Sequence, residues 1–276
     1  MKRILTIQDI SCVGKCSLTV ALPIISAFGV ETSVLPTAVL STHTAFNNFT
    51  FHDLTTDIPK VSKHWKEQKI TFDAIYTGYL GSIAQIDLVE NIFKDFKTED
   101  NFIIVDPVMA DNGKLYTGFD LDYAKHVAKL CAFADIIVPN LTEASFILDI
   151  PYIGNNYDKA YIEDILKRLT DLGAKKAVLT GITFDGEYLG VYGYDSSTKE
   201  YFSYFNKNLP VSFHGTGDIF ASSLCGALTI GKNLNQALKI AVDFTVDSII
   251  KTIENTNHNW YGVDFESALP NLIKNL

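Results

Sequence analysis

The chain alternates between two textures. Short apolar runs rich in β-branched residues occur at Ile4–Gln8, Thr32–Pro36, Ala74–Thr77, Phe102–Val105, Ile136–Val138 and Ala177–Thr180. Between them lie longer stretches whose apolar residues recur with helical period, at Leu18–Phe28, Ile58–Gln68, Ala84–Phe96, Asp122–Phe133 and Asp158–Leu172. This alternation predicts βαβ units and a mostly parallel sheet. The early runs are apolar nearly throughout, the pattern of strands covered by helices on both faces. After Thr180 the texture changes. Tyr188–Tyr194 and Glu200–Phe205 alternate or carry aromatics around a turn-forming Asp195–Thr198, which predicts an antiparallel hairpin at a sheet edge. Helical patterns at Asp218–Thr229, Leu234–Glu254 and Phe265–Ile273 complete the chain.

No linker, internal repeat or low-complexity segment breaks the 276 residues, so the pattern predicts one α/β domain over 1–276. A hydrophobic content of 47% with 12% aromatics excludes a disordered or fibrous chain. With 23 basic and 32 acidic residues the net charge is −9, which gives no general attraction for nucleic acid or anionic lipid. An anionic substrate therefore has to be held by main-chain dipoles, a metal or a few cations. No stretch approaches the roughly 20 apolar residues that span a bilayer, and Asp9 interrupts the apolar start too soon for a signal peptide. A cytoplasmic protein working on a small molecule is expected. The cysteines, at 12, 16, 131 and 225, are too scattered for a disulfide framework, and no second Cys or His pair accompanies Cys12 and Cys16 to make a zinc site. Reduced, buried thiols are expected.

Ligands of open parallel sheets bind beyond the carboxyl ends of the strands. This singles out Gln8–Ser17, Thr37–Thr44, Gly78–Ser82, Asp106–Asp111 and Pro139–Glu143, together with Gly215–Asp218 at the start of a helix. Two motifs there fail on inspection. Gly14-Lys15-Cys16-Ser17 lacks the early glycine of a P-loop, where Asp9 stands, and has Cys16 in place of the hydroxyl that would ligate magnesium. Gly215-Thr216-Gly217-Asp218-Ile219-Phe220 begins like a dinucleotide fingerprint but has Phe220 at the third glycine position and sits late in the chain.

Read on its own terms, Gly215-Thr216-Gly217-Asp218 suggests a kinase. Glycines on either side of Thr216, just before an apolar helix, leave N–H groups unpaired at the positive helix end, and phosphate satisfies such groups. Asp218 would lie close enough to take a proton from an alcohol attacking a bound γ-phosphate. The alternative is that Thr216 caps the helix and Asp218 is an acid favourably placed in its first turn.

Several segments, in order, carry a family resemblance: Ile4-Leu5-Thr6-Ile7-Gln8, Ser41-Thr42-His43-Thr44, Gly78-Tyr79-Leu80-Gly81-Ser82, Asp106-Pro107-Val108-Met109, Pro139-Asn140-Leu141-Thr142-Glu143 and Gly215-Thr216-Gly217-Asp218. Together they resemble the ribokinase-like superfamily and, within it, the pyridoxal/pyridoxamine (vitamin B6) kinases. Asp-Pro-Val-Met and Gly-Thr-Gly-Asp point to the superfamily; Gly-Tyr-Leu-Gly-Ser with Ser-x-His-Thr is more specific to the B6 branch. The resemblance implies a three-layer α/β sandwich, with a central, mostly parallel sheet flanked by helices and an antiparallel edge hairpin. It also implies ATP-dependent phosphorylation of the 5′-hydroxyl of pyridoxal, pyridoxamine or pyridoxine by a homodimer.

On the same grounds Asp218 is the general base, and Gly215, Thr216 and Gly217 donate N–H groups to the transferring phosphoryl. Asn140 and Glu143 have the spacing that relatives use to organise Mg²⁺, Glu143 through water. They also read as an N-cap and its N3 partner in a capping box before a helix at Ala144–Leu148, and both roles can hold at once. Asp106 and Asp111 match positions near the triphosphate and a cation, divalent or monovalent such as K⁺. Alternatively Asp106 fixes the turn at Pro107, and Asp111-Asn112-Gly113 is an ordinary turn. Thr180 matches a nucleotide contact or simply ends a buried strand.

For the pyridine ring the resemblance points to Asp9, His43, Thr44 and Tyr79, although His43 also reads as a satisfied loop histidine and Tyr79 as core. Many B6 kinases have serine where Asp9 stands; a carboxylate there favours a cationic ring nitrogen, the aminomethyl group of pyridoxamine, or another heteroaromatic alcohol. Cys16 stands where relatives line the ring with an apolar residue. Gly113–Asp120 and Asn206–Phe213 are candidate lids that would exclude water. The rival readings are a hydroxymethylpyrimidine kinase of thiamine synthesis and a non-catalytic vitamer-binding protein. A sugar kinase fits Tyr79 and its neighbours less well.

Overall fold

The structure is a computed structural model describing residues 1–276. In chain order its elements are β1 (Arg3–Ser11), α1 (Leu18–Ala27), β2 (Glu31–Leu40), β3 (Phe51–Asp53), α2 (Ile58–Glu67), β4 (Ala74–Thr77), α3 (Ile83–Phe96) and β5 (Phe102–Val105). A small hairpin of β6 (Ala110–Asp111) and β7 (Lys114–Leu115) precedes α4 (Leu121–Cys131), β8 (Ile136–Ile137), α5 (Leu141–Ile147) and α6 (Lys159–Asp171). Then come β9 (Lys176–Ile182), β10 (Tyr188–Asp195), β11 (Glu200–Lys207), α7 (Thr216–Thr229), α8 (Leu234–Glu254), a 3-10 turn (Phe265–Ser267) and α9 (Leu269–Lys274).

The chain forms two compact units, one of Met1–Gly81 with Leu209–Leu276 and one of Ser82–Asn208. In the first, β1 pairs in parallel with β4 on one side and β2 on the other, and β3 adds an antiparallel edge to β2. Ile4, Leu5 and Ile7 of β1 and Ala74 and Ile75 of β4 are fully buried, which explains why these strands read as continuous apolar runs. In the second, β5, β8 and β9 are parallel and β10 and β11 follow as an antiparallel hairpin. The mostly parallel arrangement with flanking helices and a late hairpin is the one predicted. No helix is long and apolar enough to cross a membrane.

Helix starts are set by side chains that satisfy the otherwise unpaired first N–H groups. Ser82, Asp120 and Asp158 cap α3, α4 and α6 through Gln85, Tyr123 and Tyr161 N–H. Asn233 and Gln236 form a capping box on α8, and Asn140 and Glu143 form another on α5. That box starts α5 at Leu141, three residues before the predicted Ala144.

β1 runs past the predicted Gln8 to Ser11, and this matters for the site. Gln8 pairs with Pro36 and Ile10 with Val39, so the register shifts between Gln8 and Ile10. Proline has no N–H for the ladder, and bulges at such places re-aim side chains. Asp9 lies in the shifted segment. β3, β6 and β7, of two or three residues, were too short to leave a periodicity. Asn112 and Gly113, with φ of 51° and 77°, form the two-residue β6–β7 turn, the backbone that Asn-Gly favours. Cys131 and Cys225 are buried and unpaired as expected, whereas Cys12 is exposed, since it lies in the loop beyond β1.

Replacing Asn233 with alanine removes a cap that lies outside the motifs above. It should lower stability by about 1 kcal/mol in urea unfolding while leaving specific activity per folded molecule unchanged.

Candidate active site

Gly215 is the N-cap of α7 and has φ 85°. A Cβ there would meet the carbonyl oxygen of Lys15 at 1.9 Å, so no other residue permits this turn against the loop after β1. The first helical bond of α7 runs from Ile219 N–H to the Gly215 carbonyl (3.0 Å). The N–H groups of Thr216, Gly217 and Asp218 consequently have no helical acceptor at the positive helix end, an arrangement that suits an anion. Around Gly217 nothing lies within 4 Å of where a Cβ would be, so the helix start is open on that side. The Thr216 hydroxyl donates to the Phe213 carbonyl (3.4 Å) and steadies the turn; the cap itself is Gly215.

Burial pushes the Asp218 carboxyl up to about 7, with a smaller opposing pull from the Ser17 N–H, and the charge of Asp9 adds to the rise. Asp9 is buried on β1 and likewise raised by burial, while hydroxyl hydrogen bonds from Ser17 and Ser11 oppose the shift. The Ser11 bond measures 2.9 Å. Burial, with the charges of Asp218 and Asp9, pushes the Cys16 thiol up to about 12, which keeps it protonated. The Tyr79 phenol, just beyond β4, rises to about 12 through burial and the charge of Asp9. The structure therefore brings Asp9, Cys16, Ser17, Tyr79 and Asp218 together.

His43 is buried, and both of its ring nitrogens serve the main chain. Nδ1 accepts from Ala45 N–H (3.1 Å), so Nε2 carries the proton and donates to the Tyr261 carbonyl (3.0 Å). Burial lowers its pKa, with the neighbouring His214 adding to the fall. What remains of His43 for a ligand is the ring surface, which sits among Phe46, His214, Trp260 and Tyr261. Thr44 is exposed.

Lys15, the residue that mimicked a P-loop lysine, binds Asp264 (2.9 Å) and Glu266 (2.7 Å) instead. Asp264 also accepts from Asn255 Nδ2 (2.6 Å), and Gly262 leaves space for the Lys15 stem. Ser11 and Ser17 lie within the singled-out segment Gln8–Ser17, whereas the motifs gave no hint of Trp260 or of this clamp, for which the glycine at 262, two residues before an acid, was the one available clue.

In the second unit Asp106 is buried at the end of β5. Asn140 Oδ1 accepts from Glu143 N–H and Glu143 Oε2 from Asn140 N–H, both at 2.9 Å, while Asn140 Nδ2 donates to the Ala110 carbonyl at 2.9 Å. Glu143 Oε1 accepts from Met109 N–H (3.2 Å). Burial pushes the Glu143 carboxyl well above the usual carboxylate range, and the charge of Asp111 adds to this. Asp111 is exposed and holds its own turn, accepting from Asn112 N–H (2.8 Å) and Nδ2 (2.9 Å). Thr180 is half-buried in β9, its N–H on the Pro139 carbonyl (3.0 Å). No group of three or more His, Cys, Asp or Glu is arranged to cage a metal. With each of its oxygens already on a main-chain N–H, Glu143 suits contact with a cation through water rather than direct ligation.

Because kcat/KM reports the free enzyme, it should rise with pH through about 7 as Asp218 ionises. An initial-rate profile from pH 5.5 to 8.5 checks this, and a flat profile across neutrality would exclude Asp218 as the group that takes the proton.

Residues 24–262 match the phosphomethylpyrimidine kinase family model. Over 98% of this chain and 95% of its own, the crystal structure of a putative phosphomethylpyrimidine kinase from Bacteroides thetaiotaomicron with pyridoxal is similar, with a TM-score of 0.93 and 40% identity. Pyridoxal kinase from Lactobacillus plantarum gives a TM-score of 0.90 at 32% identity over 99% of this chain and 97% of its own. The pyridoxal kinase of Dictyostelium discoideum is 27% identical over 93% of this chain and 87% of its own. The chain thus belongs to the phosphomethylpyrimidine kinase family and, within the ribokinase-like superfamily, to its vitamin B6 kinase branch.

Proposed function

We propose that the chain transfers the γ-phosphoryl group of ATP to the 5′-hydroxyl of pyridoxal, pyridoxamine or pyridoxine. The observation that carries this reading is Asp218: a carboxyl tuned to about 7, in the first turn of a helix whose open N–H groups suit a phosphoryl group. The 40% identical relative with pyridoxal points to the vitamer. In the transfer, Asp218 takes the proton of the 5′-hydroxyl as its oxygen bonds to the γ-phosphorus and the bond from that phosphorus to the β–γ bridging oxygen breaks, releasing ADP. Gly215, Thr216 and Gly217 direct N–H groups at the charge on the moving phosphoryl, where preorganised donors need no reorganisation.

Asp9, Tyr79 and the ring surface of His43, with Thr44 at the rim, receive the pyridine. Asp106, Asn140 and Thr180 serve the nucleotide. Bound Mg²⁺ would neutralise phosphate charge, with Glu143 acting through water and Asp106 and Asp111 as further acidic partners. The unbroken family match from 24 to 262 supports one kinase domain made of both units. The proposal extends to a cytoplasmic homodimer, for which the outer edge of β11 offers main-chain groups.

The second reading is hydroxymethylpyrimidine phosphorylation, favoured by the description of the family model. A panel of the three vitamers and hydroxymethylpyrimidine with Mg-ATP, read by phosphate-ester detection, separates the two. A vitamer is expected to be the best acceptor, and a large preference for the pyrimidine would overturn the assignment. Asp218→Asn should lose about 10²–10⁴-fold in kcat while still binding nucleotide; equal turnover by variant and parent would remove the base.

A further inference from the structure

After Met1, the most exposed large apolar side chain is Trp260, at 60%. A lone exposed ring is ordinary, but this one is the outer member of an aromatic cluster drawn from three segments of the first unit. Phe46, in the loop between β2 and β3, has its ring centroid 4.6 Å from that of the indole and 5.0 Å from that of His43. Tyr261 lies 5.5 Å from Phe46 and 5.9 Å from Trp260. His43 in turn lies 5.5 Å from His214, the residue before the Gly215 turn, and Phe213 meets His258 edge-on at 5.8 Å. The loop after α8 is tied down where it reaches this cluster. The Tyr261 carbonyl accepts from His43 Nε2 at 3.0 Å, and Gly262 fits against Lys15, which Asp264 holds.

Rings packed in this way stabilise one another by about 0.5–1.5 kcal/mol per pair beyond the area they bury. That accounts for Phe46 and Tyr261, both half-buried. It does not account for the indole, most of which the cluster leaves in water. An apolar face held in place beside a helix start that suits phosphate gains most from a flat partner laid against it. We propose that Trp260, backed by Phe46, is a further substrate-binding residue, an aromatic wall against which the pyridine ring of the vitamer stacks. This rests on the vitamer kinase reading above and adds to it two residues that lie outside every segment carrying the family resemblance. The wall adjoins His43, whose ring nitrogens are both committed to the main chain, so stacking rather than hydrogen bonding is what this side of the site offers. A pyridinium ring or an aminomethyl cation adds attraction to the same indole face.

The chain has two tryptophans, and the other, Trp65 on α2, packs against Phe72. In Trp65→Phe the tryptophan emission therefore belongs to Trp260, and titration with pyridoxine in the absence of nucleotide should change it saturably. Beside this, kcat, KM for pyridoxal, KM for ATP and the thermal midpoint are measured for Trp260→Ala and Trp260→Phe. Trp260→Ala should raise KM for pyridoxal about tenfold. Its kcat should stay within about twofold, because stacking is shared by ground and transition states. KM for ATP should equal the parent's, and the midpoint should hold, since the indole is mostly in water. Trp260→Phe, which keeps a ring face, should recover most of the loss.

A KM for pyridoxal in Trp260→Ala equal to the parent's would overturn the inference. So would a rise confined to the KM for ATP, which would put the indole on the adenine instead. A fall in kcat with a lowered midpoint and an unmoved KM marks a purely structural role and also sinks it. If Trp260→Ala does not fold, the titration decides alone, and emission that pyridoxine leaves unchanged refutes the wall. A parent that phosphorylates no vitamer, while pyridoxine still changes the Trp260 emission, would instead refute the kinase reading and leave the wall as a binding surface. Vitamer turnover by the parent beside a parent-like Trp260→Ala would refute Trp260 only.

Discussion

Between the Cα of Gly215 and the carbonyl oxygen of Lys15 there is no room for one methyl group: a Cβ would come to 1.9 Å. Left-handed glycine backbone at that point does two things at once. It turns the chain into α7 so that the first N–H groups face outward, and it lets the loop after β1 lie directly against them. The loop is held from its other side as well, by Lys15 reaching Asp264 and Glu266 and by Gly262, where a Cβ would come to 2.4 Å from Lys15 Cβ. Three segments remote in sequence therefore meet on one lysine, and the positions of Cys16 and Ser17 follow from it.

The electrostatics depend on the same contact. A chain of net charge −9 that is to hold an anion has to do so locally, and its nearby lysine is already tied to two acids. In the proposed function, main-chain dipoles supply the attraction. The cost lies in the acids that surround them. Asp218 has a folded pKa raised from 3.8 to about 7, so its contribution favours the folded state fully only below about pH 4 and is lost as the pH climbs through 7. Near neutrality the fold carries a carboxylate that would be more stable in water. That is the usual sign of a group kept for chemistry rather than for stability.

How far the sequence could be read follows from which interactions are local. Strands such as Ala74–Thr77 and Phe102–Val105 were legible to the residue because burial on both faces demands unbroken apolar runs. Asn140 and Glu143 were legible as a capping box because its partners are three residues apart. The Asp111-Asn112-Gly113 turn was legible for the same reason. The extent of β1 was not, since it depends on where Pro36 of the neighbouring strand breaks the ladder. Nor was the use of the His43 nitrogens, one of which finds its acceptor at Tyr261, more than two hundred residues away.

The two motif-bearing helix starts solve one problem in opposite ways. At α5 the unpaired N–H groups are met from within: Asn140 takes the N–H of Glu143, and Glu143 takes those of Asn140 and Met109. At α7 the cap is a glycine with no side chain to offer, and the next glycine leaves open space beside the first turn. Unsatisfied main-chain donors are expensive unless something outside the helix completes them. A helix start that closes itself has no need of a ligand, whereas one left open by glycines gains most from an anion that arrives with its substrate. It is this difference in capping, rather than the acidic residues that accompany both helices, that suits α7 to the phosphoryl group in the proposed function.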